Sequence, residues 1–428
     1  MTETQTLYKN YDQILHEELL PAMGCTEPIA IAYGSAKARE ILGELPLSVL
    51  IEASGNIIKN VKSVVVPNTR GLKGIEAATA AGVIAGDSSK ILEVISQVSQ
   101  EQRIEIQKYL SRKSITVKPA DSDKVFDIIF TLQGANSKVV LRICDYHTNI
   151  TYIEKNGIVL QEAGKILFDD YSQNLTDRSL LTVEKILQYI NSGNLHNVEH
   201  LIRRQIKYNY AIAEEGISHN WGANIGKVLL HSCGNSVDIR ARAMAAAGSD
   251  ARMSGCELPV IIVSGSGNQG ITACVPVVVY ARHLQVSPEK EIQAVALSDL
   301  LTIHLKTGIG RLSAYCGAVS AACAALTAAI AWLQGGSYDE IAHTLVNSLA
   351  IASGIICDGA KPSCAAKIAL AIEGGLLGYK MYKNGQEFYG GEGIVTKGVE
   401  NTIKNIGRLG HEGMKETDKE IIRIMTGL

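Results

Sequence analysis

Cys25 lies in the segment Gly24-Cys25-Thr26-Glu27-Pro28, directly before residues whose pattern predicts a helix. A thiol near a helix N-terminus is exposed to the positive end of the helix dipole, which lowers its pKa. The resulting thiolate is able to act as a nucleophile or as a general base. The alternative is a small buried side chain that fills a tight turn, and the residues alone leave both interpretations equally open.

A second candidate is the glycine-rich segment at residues 259–270, which reads PVIIVSGSGNQG. Its apolar run ends in a loop, and an apolar, helical segment follows, so backbone amides converge on this loop. Such amides suit the carboxylate of an amino acid as well as a phosphate. The candidate substrate-binding residues in this loop are Ser264, Ser266, Gly267, Asn268 and Gln269.

The same loop formally matches the G-x-G-x-x-G pattern of dinucleotide-binding proteins. That site requires an acidic residue at the end of a second strand, whereas Glu289 and Glu291 here lie in a charged helix start. We therefore reject a dinucleotide site. A plain glycine turn without a ligand stays the alternative.

Two further polar loops, Ser54-Gly55-Asn56 and Asn68-Thr69-Arg70-Gly71, add Ser54, Asn56 and Arg70 as substrate-binding candidates. The planar guanidinium of Arg70 suits a carboxylate better than a lysine does. Both loops are equally compatible with simple turns at strand ends, with Arg70 in solvent. His219 is similarly ambiguous between a proton shuttle and a polar group near a helix start.

The remaining cysteines divide by context. Cys316 and Cys323 are seven residues apart on one predicted helix, and Cys357 and Cys364 are seven apart around a polar, irregular loop. No C-x-x-C pair occurs, so spacing alone indicates neither zinc nor a ferredoxin-type cluster. We interpret five cysteines as buried small residues, and Cys357 and Cys364 as better ligand candidates. The five are Cys144, Cys233, Cys256, Cys274 and Cys323.

The elements that must position these residues indicate an α+β protein. Helical periodicity at residues 7–20 and 28–42, with Thr26 as a candidate N-cap, predicts N-terminal helices. Alternating and β-branched segments predict a smaller α+β domain with an antiparallel sheet, and the chain from about residue 176 is almost wholly helical. The predicted strands are residues 48–53, 61–66, 115–117, 125–132, 138–143, 149–154 and 158–161.

We accordingly expect three parts. Residues 1–45 are N-terminal helices that pack on the catalytic half, residues 46–170 are the α+β domain, and residues 171–428 are a large, mostly helical catalytic domain. The Ala-rich stretch 314–333 is long enough to span a bilayer, but its side chains are too small to partition strongly. We predict a buried central helix there.

The charge and composition of the chain indicate which classes of binding partner to expect. A net charge of −2 over 428 residues gives no electrostatic reason to expect nucleic acid or an anionic membrane, so a small solute is the expected partner. The first residues lack the basic and apolar regions of a signal peptide. Nine scattered cysteines do not suggest a secreted disulfide framework and fit a reducing cytoplasm. A homodimer is the general expectation for a soluble metabolic enzyme.

Taken together, the chain resembles the iron–sulfur L-serine dehydratase α-chain superfamily, in its single-chain L-cysteine desulfidase branch. Each matching segment is weak alone, but the combination runs through nearly the whole chain and is specific. The matching segments are Gly24-Cys25-Thr26-Glu27-Pro28, Ser54-Gly55-Asn56, Pro67-Asn68-Thr69-Arg70-Gly71, residues 264–270, Cys316-Gly317 and residues 356–364.

The resemblance implies an oxygen-sensitive [4Fe–4S] cluster held by Cys316, Cys357 and Cys364, with one iron left open to the leaving group. It also implies that Cys25 is the base at the α-carbon and that the 264–270 loop binds the substrate carboxylate. The implied reaction is β-elimination of L-cysteine to pyruvate, ammonia and sulfide. The alternatives are a serine dehydratase, a pyridoxal-phosphate eliminase and a non-catalytic amino-acid-binding protein. A pyridoxal-phosphate enzyme requires a Schiff-base lysine, and no lysine here lies in a recognisable motif.

Overall fold

The computed structural model describes residues 2–122, 124–162, 175–310 and 312–426. A six-stranded sheet with its covering helices forms one part, and a larger assembly of helices forms the other. The predicted α+β class is therefore confirmed. The predicted boundary between residues 170 and 171 lies outside the described residues.

Eight strands occur in the described ranges: β1 (Pro21–Met23), β2 (Ser48–Ala53), β3 (Ile115–Pro119), β4 (Asp127–Gln133), β5 (Lys138–Cys144), β6 (Ile150–Lys155), β7 (Ile158–Glu162) and β8 (Pro259–Ile261). The larger sheet has the order β3-β2-β4-β5-β6-β7. Its neighbouring strands are antiparallel except β2 and β3, which run parallel. The sheet is thus mixed rather than purely antiparallel, because helical chain separates β2 from β3 and permits the crossover that parallel pairing requires.

The α-helices of the described ranges are α1 (Glu3–Glu18), α2 (Thr26–Leu42), α3 (Gly55–Val61), α4 (Gly74–Ala85), α5 (Gln100–Ser111), α6 (Val183–Asn191), α7 (Glu199–Ser218), α8 (Ile225–Cys233), α9 (Val237–Met253), α10 (Gly267–His283), α11 (Pro288–Ile309), α12 (Ala321–Leu333), α13 (Tyr338–Ala352), α14 (Ser363–Lys383), α15 (Val399–Arg408) and α16 (Lys415–Thr426). The Ala-rich helix α12 is buried except at Trp332 and packs against α10, α11, α13 and α14. Small side chains allow this close packing.

Helix α2 links the two parts of the molecule. It packs on α4 and on the sheet, where Gly34 lies so close to the Phe130 ring that a Cβ there would be 2.3 Å from the ring. The helix ends at Gly43, which adopts the left-handed conformation that glycine favours (φ 82°). Just before α2, strand β1 pairs antiparallel with β8 of the helical part. This pairing brings Cys25 beside the glycine-rich loop.

Two local predictions in the N-terminal half are wrong. Residues 61–66 do not form a strand, because α3 ends at Val61 and only an isolated bridge at Val65 follows. A short apolar run has no distinctive periodicity, so a buried segment of this kind resembles a strand. Thr26 is not the N-cap of α2; Cys25 occupies that position, and the Thr26 hydroxyl instead donates to the Gly265 carbonyl at 2.9 Å.

The predicted central helix is shorter than expected. Residues 314–320 form turns and a bridge before α12, and α12 itself begins at Ala321. Cys316 therefore lies in a loop, and Cys323 lies inside the helix, so the two do not share a helix face. Within the described residues, no helix is both long and apolar enough to cross a membrane.

Candidate active site

A cavity of about 100 Å³ lies where the start of α2, the start of α10 and the loops before α12 and α14 meet. The predicted residues that border it are Cys25, Ser266, Asn268, Gln269, Cys316, Cys357 and Cys364. Its volume is well below the 300–1,000 Å³ of typical pockets for drug-sized ligands. The cavity therefore suits a small solute.

Two loops hold Cys316 and Cys357 side by side. The Cys316 amide donates to the Ile355 carbonyl at 3.3 Å, and the Cys357 amide donates to the Ala314 carbonyl at 2.7 Å. Tyr315 and Ile356 form an antiparallel bridge between the same loops. Cys364 follows in the first turn of α14. All three cysteines are partly exposed residues, and all three border the cavity.

The Cys316 and Cys357 thiols interact directly. A hydrogen bond from Cys316 lowers the pKa of Cys357 to about 6, against the opposing effect of burial, with Lys59 and Lys306 as further favourable charges. The same bond, together with burial, raises the pKa of Cys316. Burial also raises the pKa of Cys364. In the absence of a metal, the pair therefore shares one proton.

A single metal ion and an iron–sulfur cluster require different arrangements of donor atoms. In the part of the chain that the structure describes, no three Cys, His, Asp or Glu side chains are arranged around the position of a single ion. A [4Fe–4S] cluster makes a different demand, because its cysteine thiolates bind separate iron atoms around a volume. Three thiols on the wall of one cavity suit that chemistry by donor type and placement.

Cys25 is buried at the N-cap of α2, and its Sγ donates to Glu27 Oε2 at 3.0 Å. Burial raises the pKa of this thiol well above its usual value, and the charge of Glu27 raises it further, while Arg252 opposes. The expectation that the helix dipole lowers the pKa of Cys25 is therefore wrong. The desolvation penalty and a neighbouring carboxylate outweigh the dipole.

The glycine-rich loop forms the turn between β8 and α10. The Ser266 hydroxyl caps α10 by accepting from the Gln269 amide at 3.4 Å, and Gln269 Nε2 donates to the Val263 carbonyl at 3.1 Å. Ser264 has a left-handed backbone (φ 46°), which is strained for a residue with a side chain. As predicted, a strand, a loop and a helix N-terminus follow in order, and the first turn of α10 borders the cavity.

Arg252, at the end of α9, is a cavity residue that the sequence analysis missed. Its side chain is buried, and Nη1 donates to Asn268 Oδ1 at 3.1 Å. Gly267 makes room for it, since a Cβ there would lie 2.3 Å from Arg252 Nε. No sequence spacing connects Arg252 with the glycine-rich loop. Its position in a predicted helix, directly between Ala251 and Met253, is the sequence signal that could have identified it.

The charged groups around Cys25 come from several elements. Glu27 accepts from Asn60 Nδ2 at 3.2 Å, and both residues border the cavity. Burial raises the pKa of Glu27, but His147, the Cys25 hydrogen bond and Arg252 more than compensate, so the net pKa is lowered. His147 lies in the loop between β5 and β6, so the sheet influences the site electrostatically. Glu27, Asn60 and His147 were not predicted as functional residues from the sequence.

Three predicted residues, Ser54, Asn56 and Arg70, lie away from this cavity, and Ser264 and Gly267 of the glycine-rich loop are not among the residues that border it. The Ser54 hydroxyl donates to the Val125 carbonyl at 2.8 Å, and Asn56 Nδ2 donates to Asp418 Oδ2 at 2.6 Å. Arg70 is exposed. Among the described residues that border the cavity, none of the three is present. Ser264 borders a wider neighbouring cavity of about 790 Å³, which shares Lys306, Leu312 and Ser313 with the smaller one.

Comparison with known proteins gives a consistent result. The profile of the serine dehydratase alpha chain family matches residues 89–423. A UPF0597 protein of Desulfitobacterium hafniense (strain Y51) is 62% identical over 425 residues, which cover 99% of this chain and 98% of that protein. A UPF0597 protein of Lachnoclostridium phytofermentans is 47% identical, covering 98% of this chain and all of that protein. One of Treponema denticola is 45% identical, covering 99% of each. The chain belongs to the serine dehydratase alpha chain family.

Proposed function

We propose that this protein is an L-cysteine desulfidase that converts L-cysteine to pyruvate, ammonia and sulfide by β-elimination. The observation that carries the proposal is that four cysteines, Cys25, Cys316, Cys357 and Cys364, border one small cavity. The start of α10 borders the same cavity. A base, a ligand set and an anion-binding helix start are the parts that such an elimination requires.

The substrate carboxylate would bind at the N-terminus of α10, where backbone amides and the helix dipole favour negative charge. We assign the 264–269 loop to this role. Ser54, Asn56 and Arg70, which lie outside the cavity, have no contact to support their proposed role in substrate binding.

Cys25 would accept the α-proton. A buried thiol with a raised pKa is a strong base once its own proton has been released to solvent. The electron pair of the Cα–H bond then forms the Cα–Cβ double bond as the Cβ–S bond breaks. Lewis acidity for departure of the sulfur would come from a [4Fe–4S] cluster on Cys316, Cys357 and Cys364. Hydrolysis of the aminoacrylate product gives pyruvate and ammonia.

The second candidate is an iron–sulfur L-serine dehydratase, which the family membership favours. The same residues would serve, with water as the leaving group. The preference for cysteine rests on the softness of iron toward thiolate, which is a modest effect, and on the resemblance of the sequence to the desulfidase branch.

The test is anaerobic reconstitution with iron and sulfide, followed by pyruvate and sulfide assays. We expect turnover that is lost in air, with a higher kcat/KM for L-cysteine than for L-serine. The reverse order would favour the dehydratase. No pyruvate from either amino acid, or a lysine trapped by borohydride, would contradict an iron–sulfur eliminase.

We further propose that the enzyme is a cytoplasmic homodimer. All nine cysteines are free, which supports a reducing compartment. Sedimentation analysis of the reconstituted protein tests the oligomeric state, and a monomeric mass would contradict the dimer.

A further inference from the structure

Several residues that border the cavity next to Cys25 carry buried polar atoms without partners. Within the part of the chain that the structure describes, four such atoms have no hydrogen-bond partner: Arg252 Nε, Gln269 Oε1, Asn60 Oδ1 and the Tyr315 hydroxyl oxygen. A buried polar atom without a partner costs about 1–3 kcal/mol. Such atoms, on residues that border a cavity, favour a polar ligand there.

The unpaired donor lies on a cation, Arg252, and the unpaired acceptor of Asn60 lies next to an anion, Glu27. Arg252 is a buried cation whose Nη1 donates to Asn268 Oδ1 in the glycine-rich loop, and whose Nε has no partner. Asn60 contacts Glu27, a buried carboxylate whose pKa is lowered and which is therefore ionised at neutral pH. The cavity thus presents a guanidinium and a carboxylate together.

We propose that this cavity recognises both charges of a zwitterionic α-amino acid: Arg252 binds the carboxylate, and Glu27 with Asn60 binds the ammonium group. The inference rests on the proposed function and defines its substrate class. It replaces Arg70, which is exposed, as the arginine that binds the carboxylate. Gln269 Oε1 supplies a further acceptor for the ammonium group.

The position of Arg252 fits this role. It lies beside Gly267 in the first turn of α10, so a carboxylate bound there meets the guanidinium and the helix amides together. Gly317 in the same way allows the close approach of Gln269, since a Cβ there would lie 2.2 Å from Gln269 Oε1. The absence of a side chain at both glycines therefore lets Arg252 and Gln269 take their places at the site.

A site built to hydrogen-bond one group of its ligand rejects an analogue that lacks the group, often by large factors. L-Alanine lacks a leaving group and is therefore a non-reactive amino acid probe. L-Lactate has a hydroxyl in place of the ammonium group of L-alanine, and L-alaninol has a hydroxymethyl group in place of the carboxylate. We expect the reconstituted wild-type protein to bind L-alanine at least about 30-fold more tightly than either analogue, by calorimetry and by competitive inhibition.

Substitutions at Arg252 and Glu27 test the recognition of the two charged groups separately. Arg252→Gln should abolish the preference for L-alanine over L-alaninol while retaining the preference over L-lactate. Glu27→Gln should do the opposite. Arg252→Lys, which keeps the charge but loses the planar fork, should give an intermediate preference and guards against misfolding of the glutamine variant.

Matched controls lie outside the cavity. Arg242→Gln alters an arginine of the same helix that pairs with Glu373, and Glu400→Gln alters a carboxylate that pairs with His304. Both should leave the two preferences unchanged. Loss of the carboxylate preference in Lys306→Met but not in Arg252→Gln would overturn the assignment of Arg252.

Failure of this inference is distinguishable from failure of the proposed function. Tight, doubly selective binding of L-alanine without pyruvate release from cysteine or serine would refute the elimination and leave the zwitterion site in place. Turnover with both preferences unchanged in Arg252→Gln and Glu27→Gln would refute the zwitterion site and leave the elimination in place.

Discussion

The Cys25 thiol donates a hydrogen bond to the Glu27 carboxylate, with Sγ 3.0 Å from Oε2, and both side chains are buried at the start of α2. A thiol and a carboxylate in contact share one negative charge, and the pKa directions place it on Glu27. The resting protein therefore holds Cys25 as a neutral thiol. Before Cys25 can act as a base, it must lose that proton.

The first prediction concerns the reactivity of Cys25. Because the thiolate is the nucleophile, iodoacetamide should alkylate Cys25 slowly at pH 7 and faster as the pH rises. Glu27→Gln removes a charge and an acceptor that both raise the pKa of Cys25, so this variant should react faster at a given pH, by about tenfold. Mass spectrometry of the peptide that contains Cys25 measures the rate.

Cys233 provides the internal reference, because its side chain is exposed in the same protein. Its alkylation rate should be equal in wild type and Glu27→Gln. Equal rates at Cys25 in the two proteins would show that Glu27 does not control this thiol.

The second prediction concerns the packing that positions α2. A Cβ at Gly82 of α4 would lie 2.2 Å from the Ala32 carbonyl oxygen of α2, and the backbone is unable to yield as a side chain does. Gly82→Ala should therefore destabilise the protein by about 3 kcal/mol, the upper end for overpacking. Gly43→Ala is the comparison: no atom of the described residues lies within 4 Å, so only the left-handed backbone adds about 1–2 kcal/mol. Denaturant unfolding should rank Gly82→Ala as the more costly change.

The third prediction concerns Asp299, which is buried on α11 and accepts a hydrogen bond from Gln205 Nε2 at 2.9 Å. Burial raises the pKa of this carboxyl to about 8, and the Gln205 hydrogen bond opposes the shift. Between the unfolded pKa near 4 and this value, the folded protein holds a proton that the unfolded chain has released. Stability therefore falls as the pH rises through this window, by up to about 1.4 kcal/mol per unit.

Asp299→Asn removes this titration, so its free energy of unfolding should vary less between pH 5 and 8 and exceed that of wild type near pH 8. Asp339→Asn, which alters an exposed residue of α13, should leave the pH profile parallel to that of wild type. If the free energy of unfolding changed between pH 5 and 8 in the same way for wild type and for Asp299→Asn, that result would contradict a protonated Asp299 in the folded protein.

Much of the fold could be predicted from local patterns. Strand β2 matches its predicted residues, and β4 to β7 differ from theirs by one or two residues, since alternation and turn residues define such strands well. The parallel pairing of β2 with β3 could not be predicted, because it depends on a crossover through helices rather than on local residues. The start of α12 could not be predicted from local patterns either, because the small residues that predominate at positions 317–322 suit a helix or a tight loop equally.

The candidate site, like the fold, could be predicted from the sequence only in part. The thiols and the glycine loop carry their chemistry in their residue types, so Cys25, Cys316, Cys357 and Cys364 could be selected from the sequence. Arg252 could not, because only tertiary packing brings the end of α9 to the start of α10. The pKa of Cys25 was also unpredictable, since burial and the conformation of Glu27 determine it.

The last prediction separates ligands from base among the cysteines. Cys316→Ser, Cys357→Ser and Cys364→Ser should each lower bound iron and the visible absorbance of the reconstituted protein and abolish pyruvate formation, since each removes one of the three thiolates proposed to hold the cluster. Cys25→Ala should keep wild-type iron and absorbance while turnover falls by at least about 100-fold, the usual effect of losing a general base.

Cys323→Ser is the matched control, because Cys323 is buried in α12 and donates to the Ala371 carbonyl at 2.7 Å, a bond that serine preserves. It should keep both iron and turnover. Full iron in all three ligand variants would refute the ligand set, and full turnover in Cys25→Ala would assign the base to another residue.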